Sequence, residues 1–80
     1  MSDERELLQA VLEAIAIPYP ATVGDAEVHD PILLSRVMDA RVALEGVLRR
    51  GDDAGWSADY LRSRLAEKPP VGYRAEGGQR

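Results

Sequence analysis

The side chains with the chemistry of a site lie closest together at Asp25, Glu27, His29 and Asp30. Three carboxylates beside an imidazole offer the oxygen and nitrogen donors that divalent cations take. Their local spacing matches no ligand pattern, because dedicated sites draw ligands from separate elements or from a rigid loop. Loop chemistry and helix capping are therefore the expected roles, and no metal ligand is assigned. His29 is the only histidine, hence the only side chain whose unperturbed pKa sits near neutrality and the only candidate general base. No nucleophile is paired with it in a Ser-His-acid arrangement, and the chain has neither cysteine nor a phosphate-binding glycine loop. No catalytic residue and no cofactor follow from the sequence, and the expectation is a protein that is not an enzyme.

Two groups of charged residues point instead to contact functions. Arg41 interrupts an apolar helical face, with Glu45 one turn on to hold its guanidinium; with Leu34 and Met38 they form the expected partner-binding surface. Arg62 and Arg64, on a helix expected after Ser57, are the candidate nucleic-acid contacts, with Arg49, Arg50 and Lys68 nearby for phosphates. That arrangement resembles a helix-turn-helix in outline only. Arg62 and Arg64 point about 200° apart on a helix, and the chain carries a net charge of -4.

The elements that position these residues read as helices. Apolar residues at Leu7, Leu8, Val11, Leu12, Ala14 and Ile15 share one face of a first helix over Asp3–Ala16. Asp3 with Glu6 has the spacing of a capping box, and Pro18 and Pro20 stop the helix. Residues 18–29 then form a long loop, unless Asp25–His29 add a turn to the next helix. A central helix over Asp30–Arg50 takes Pro31 in its first turn and Gly51 at its end. Its apolar arc, from Val47 through Leu33, Val37 and Leu48 to Met38, covers about 180°, more than one neighbour can shield. Gly46, on the far face, costs about 1 kcal/mol relative to alanine unless something packs closely there. A third helix over Ala58–Glu67 takes Ser57 as N-cap and Trp56 with Leu61 as a hydrophobic staple, and Pro69-Pro70 ends it.

These elements predict an all-α fold, a small three-helix domain over residues 1–73 with a long first loop and a disordered tail over 74–80. The expected core is Leu8, Val11, Leu12, Ile15, Leu33, Val37, Leu44, Leu48, Trp56, Leu61 and Leu65. Pro18-Tyr19-Pro20 and Pro69-Pro70-Val71-Gly72-Tyr73 are stiff segments with aromatic hooks that either serve as ligands or pack back on the helices.

Eighty residues bury only about 60% of the surface the unfolded chain exposes. Without cysteines, helix packing, oligomerisation or a bound partner must supply the stability. Residues 1–30 hold seven acids and one base, whereas residues 31–80 hold nine bases and seven acids, so the two parts attract each other within one chain or between copies. The start MSDERELL has no secretory pattern, and no stretch approaches the roughly 20 apolar residues that span a bilayer. A cytoplasmic protein is expected. Nine arginines against one lysine indicate a bacterial genome of high GC content. The functional expectation is a non-enzymatic interaction or regulatory module, self-associating as a homo-oligomer or holding a protein partner. A small DNA-binding transcriptional regulator is the alternative.

Overall fold

The computed structural model describes residues 2–75 as three helices, α1 (Asp3–Ile15), α2 (Val23–Arg50) and α3 (Ala54–Ala66). The fold is all-α, and no helix among the described residues is long and apolar enough to cross a membrane. Each helix is capped by a residue earlier in the chain than the sequence predicts. Ser2, not Asp3, caps α1: its Oγ accepts the Arg5 N–H at 3.2 Å, which leaves Asp3, Glu4 and Glu6 in the first turn against the helix dipole. Asp53, not Ser57, caps α3 by accepting the Trp56 N–H at 2.7 Å. Ser57 thus falls inside the helix, only 1% exposed. The expected staple is absent as well, since Trp56 faces outward and stacks on Tyr60 with ring centroids 5.6 Å apart.

The largest correction concerns the expected long loop. Thr22 caps α2, its hydroxyl accepting the Asp25 N–H at 3.1 Å and donating to the Asp25 carboxylate at 2.9 Å. The connection therefore shrinks to residues 16–22, and Asp25–His29 are the first turns of α2, the alternative that the sequence left open to a long loop. Pro31 then lies inside the helix rather than in its first turn, and the Glu27 carbonyl loses its i→i+4 donor. At its other end α2 stops where expected. Gly51 adopts φ 73°, in the left-handed region, and the Gly46 carbonyl accepts the N–H groups of Gly51 and Asp52. Gly46 is buried because the Asp52 carboxylate and Arg50 guanidinium fill the space a Cβ would take. At 1.5 Å per residue the 28 residues of α2 run about 42 Å, which sets the 41 Å length of the molecule.

α1 and α3 lie side by side in the same direction, with α2 antiparallel to both. Gly55 at the start of α3 meets the Asp3 carboxylate at the start of α1. The two C-terminal ends converge on Arg36 in the middle of α2. Its Nε donates to the Ala14 carbonyl at 2.9 Å, Nη2 to the Glu13 carbonyl at 2.7 Å and Nη1 to the Lys68 carbonyl at 2.8 Å. One turn on, Asp39 accepts from Lys68 Nζ at 2.6 Å and faces Arg64 Nε at 3.6 Å. Arg62 of α3 reaches across to Glu6 at 3.0 Å and Glu13 at 3.4 Å on α1.

The buried cluster consists of six alanines (Ala10, Ala14, Ala40, Ala43, Ala54, Ala58) and three leucines (Leu7, Leu61, Leu65). Of the eleven core residues expected from the sequence, only Leu61 and Leu65 are fully buried; Val11, Leu33 and Leu44 are half-buried, and the other six are exposed. The reason is geometric. Alanine on all three contact faces lets the backbones approach closely, and only three leucines find room between them. α2 accordingly buries Arg36, Asp39, Ala40, Ala43 and Gly46, a face rotated by roughly 120° from the apolar arc at 100° per residue.

The residues after α3 fold back along the 16–22 connection. Tyr73 Oη donates to the Pro18 carbonyl at 2.9 Å, the Ala21 N–H donates to the Arg74 carbonyl at 2.9 Å, and Ala75 forms an isolated antiparallel bridge with Pro20. The two proline-tyrosine segments thus dock on each other. Arg74 and Ala75, the first residues of the expected tail, take part in this pairing. Residues 76–80 of the expected tail lie outside the described residues.

Candidate interaction surface

Turning small residues inward turns large apolar ones outward. Leu8, Leu12 and Ile15 of α1 are between 49% and 64% exposed, Leu34 and Met38 of α2 63% and 50%, and Leu48 80%. Ile15 and Leu48 meet across one groove. Between α1 and α2 runs an apolar groove of about 400 Å³ whose walls are Val11 and Ile15 on one side and Val37, Leu44 and Leu48 on the other. Ile15 also lines a second hollow of about 520 Å³, between the connection at Pro18-Tyr19 and His29 and Leu33 of α2.

All four expected partner-binding residues lie on this side of α2. Leu34 and Met38 stand in the open, and Arg41 Nε donates to Glu45 Oε2 at 3.4 Å, as the i,i+4 spacing predicts. Arg49 Nη1 approaches the same oxygen at 3.6 Å. Two cations therefore share one carboxylate at the C-terminal half of the groove.

The candidate nucleic-acid contacts occupy different surroundings. Arg62 is engaged by Glu6 and Glu13, whose hydrogen bonds raise its pKa further, while Arg64 lies between Asp39 and Glu67. Arg64 Nε is buried with no hydrogen-bond acceptor in range among the described residues. Lys68 is held by Asp39, Arg50 by Asp52 and Arg49 by Glu45. Each expected phosphate contact has an acid beside it, and Ser57 is inside the bundle.

The four ligand-type residues of the α2 start are dispersed by their helical positions. Asp25 serves Thr22 and Arg74. Slight burial raises its pKa, but the Thr22 hydroxyl, the Arg74 backbone and the Arg74 charge outweigh that and hold it below 3.8. His29 turns inward, with Nδ1 2.7 Å from Asp30 Oδ1 and its ring edge-on to Tyr73 at 5.4 Å. Among the described residues no group of three or more histidine, cysteine, aspartate or glutamate side chains converges to hold a metal ion.

Sequence reasoning missed Arg36 and Asp39, the buried charges that join the helices. A signal existed in the small residues Ala40, Ala43 and Gly46, which share their face at helical spacing and mark a surface for close backbone approach. A second outward aromatic feature was also missed: Trp56 and Tyr60 border a hollow of about 230 Å³ with Val42, Arg50 and Asp52. No protein-family model, no curated protein and no solved structure matches this chain.

Proposed function

We propose that this chain is a non-enzymatic interaction or regulatory module that works by contact, associating with itself through the outward apolar face of α1 and α2. The carrying observation is the inversion of the bundle, with alanines in the centre and Leu8, Leu12, Leu34, Met38 and Leu48 outside. Full burial of one such side chain is worth about 1.5–3 kcal/mol, so covering the seam stabilises an assembly that an isolated copy leaves wet. Contiguous apolar patches of this kind on a soluble domain mark contact sites. The absence of cysteine and the arginine-for-lysine bias support a bacterial cytoplasmic setting.

The test is sedimentation of the whole chain at micromolar concentration, with and without Leu34→Glu combined with Met38→Glu. The expected result is a dimer or larger species that the double variant converts to monomer with its helix content intact, since both positions are exposed. A compact monomer in both cases overturns the reading. The DNA-binding alternative needs Arg62 or Arg64 to leave acidic partners for phosphates; it predicts duplex retention at low salt that weakens in Arg62→Ala, and no retention removes it.

A further inference from the structure

The outward face of α2 carries a charge order as well as an apolar surface. Glu27, Asp30, Leu34, Met38, Arg41, Glu45 and Arg49 follow one another at spacings of three and four residues, which keeps them on one stripe of a straight helix. Glu27 and Asp30 make its N-terminal half acidic. Asp30 meets only His29, and Glu27 has no ion-pair partner among the described residues. Arg41 and Arg49 make the other half basic, because the one carboxylate of Glu45, 3.4 and 3.6 Å away, serves both. Leu34 and Met38 lie between the two halves.

We infer that a second copy of this chain seats on this stripe, α2 against α2 and antiparallel, with the two-fold axis between Leu34 and Met38. The inference rests on the self-association proposed above and adds its geometry. In this register Leu34 packs on the partner's Met38, Arg41 lies opposite the partner's Pro31, within a turn of the partner's Asp30 and Glu27, and Glu27 comes level with the partner's Glu45, where the partner's Arg41 and Arg49 on either side outweigh that carboxylate. The symmetry repeats each contact, as an isologous interface must. A parallel pairing instead stacks Glu27 on Glu27 and Arg41 on Arg41, and like charges face to face disfavour it.

The area reaches that of a standard interface when the partner helix also covers the exposed residues of α1. Leu8, Leu12, Ile15, Leu34, Met38 and Leu48 are each 49–80% exposed, and at about 100 Å² of apolar surface per fully buried side chain they offer roughly 400 Å². A standard interface removes about 800 Å² per partner, of which about 450–500 Å² is non-polar, and Val37 and Val42 flank the stripe to add the remainder.

Because the native chain has no cysteine, single substitutions report the register directly. Glu27→Cys and Glu45→Cys proteins are treated with a short bismaleimide, separately and after mixing and re-equilibration, beside sedimentation of the same samples. The expected result is a covalent dimer in the mixture and almost none from either protein alone. In a parallel pair the two positions lie about 27 Å apart along the axis, so dimers from each protein alone and none from mixed pairs overturn the inference. Sedimenting dimers that never cross-link between 27 and 45 overturn it too and leave self-association standing. Monomers throughout overturn both.

Discussion

Arg36 gives the sharpest energetic prediction. Its guanidinium is buried and donates to three backbone carbonyls at the C-terminal ends of two helices, Glu13 and Ala14 of α1 and Lys68 after α3. Burial lowers its pKa, offset in part by neighbouring groups, yet the side chain stays protonated at any working pH. A buried ion pair can often be replaced by apolar side chains at no cost because both partners go. Here the partners are carbonyls of the main chain, which no substitution removes. In Arg36→Met the apolar stem is kept and three acceptors lose a charged donor. Hydrogen bonds to charged groups are worth about 1.5–3 kcal/mol each but are not additive, and the relief of desolvation opposes the loss, so about 2–4 kcal/mol of stability should disappear. For a domain of this size, whose total is of order 4–12 kcal/mol, that is a large share, and it corresponds to a fall in Tm of roughly 10–25 °C. Arg36→Lys keeps the charge near the helix ends without the planar fork and should fall between. The assay is urea unfolding followed by circular dichroism at one fixed low concentration, since association would add stability by mass action. If Arg36→Met unfolds within about 0.5 kcal/mol of the native chain, a change typical of featureless surface positions, the view of Arg36 as the joint of the bundle is wrong.

Other outcomes follow from single positions. Pro31→Ala should stabilise the protein by about 1–3 kcal/mol, because it restores the N–H that α2 lacks for the Glu27 carbonyl; an unchanged urea midpoint would contradict a continuous α2. Gly51→Ala should destabilise by about 1 kcal/mol in the same assay from backbone strain alone, since φ is 73° and no atom lies within 4 Å of the added methyl. The Asp25 carboxyl should titrate below 3.8 by carbon-detected NMR. Its folded pKa is depressed, so its contribution to stability is present above the unfolded value and disappears as pH falls through the folded one, with Asp25→Asn removing that dependence. A normal or raised value would show that the Thr22 cap and the Arg74 contact do not form.

Helices and their chemical stops were legible in the sequence, but the choice between competing caps was not. Gly51 has no rival nearby, and its role was read correctly from glycine's freedom at positive φ. Ser57 and Asp53 are both good caps; Asp53 prevails because it brings Ala54, Ser57, Ala58, Leu61 and Leu65 onto one buried face. Asp30-Pro31 reads as a helix start, yet Thr22 with Asp25 forms one a full two turns earlier, and the helix carries the proline inside it. The core was misjudged for a single reason. Side chains were ranked by the apolar area they bring, whereas this bundle packs by close approach of alanines and closes its ends with Arg36 and Asp39. Leu34, Met38, Arg41 and Glu45, expected from the sequence to meet a partner, belong for the same reason to the large-residue arc that the bundle leaves outside.

The central claim is that Leu8, Leu12, Ile15, Leu34 and Leu48 stand in water in one copy and are covered when copies meet. Methyl NMR with a soluble paramagnetic probe, recorded over a dilution series, reads this directly. The account predicts strong relaxation of these methyls in dilute protein and protection that grows with concentration, while Leu7, Leu61 and Leu65 stay protected throughout. Protection of the outer set at every dilution would mean that a lone copy already encloses them, and relaxation at every concentration would mean that nothing covers them; either result contradicts the account.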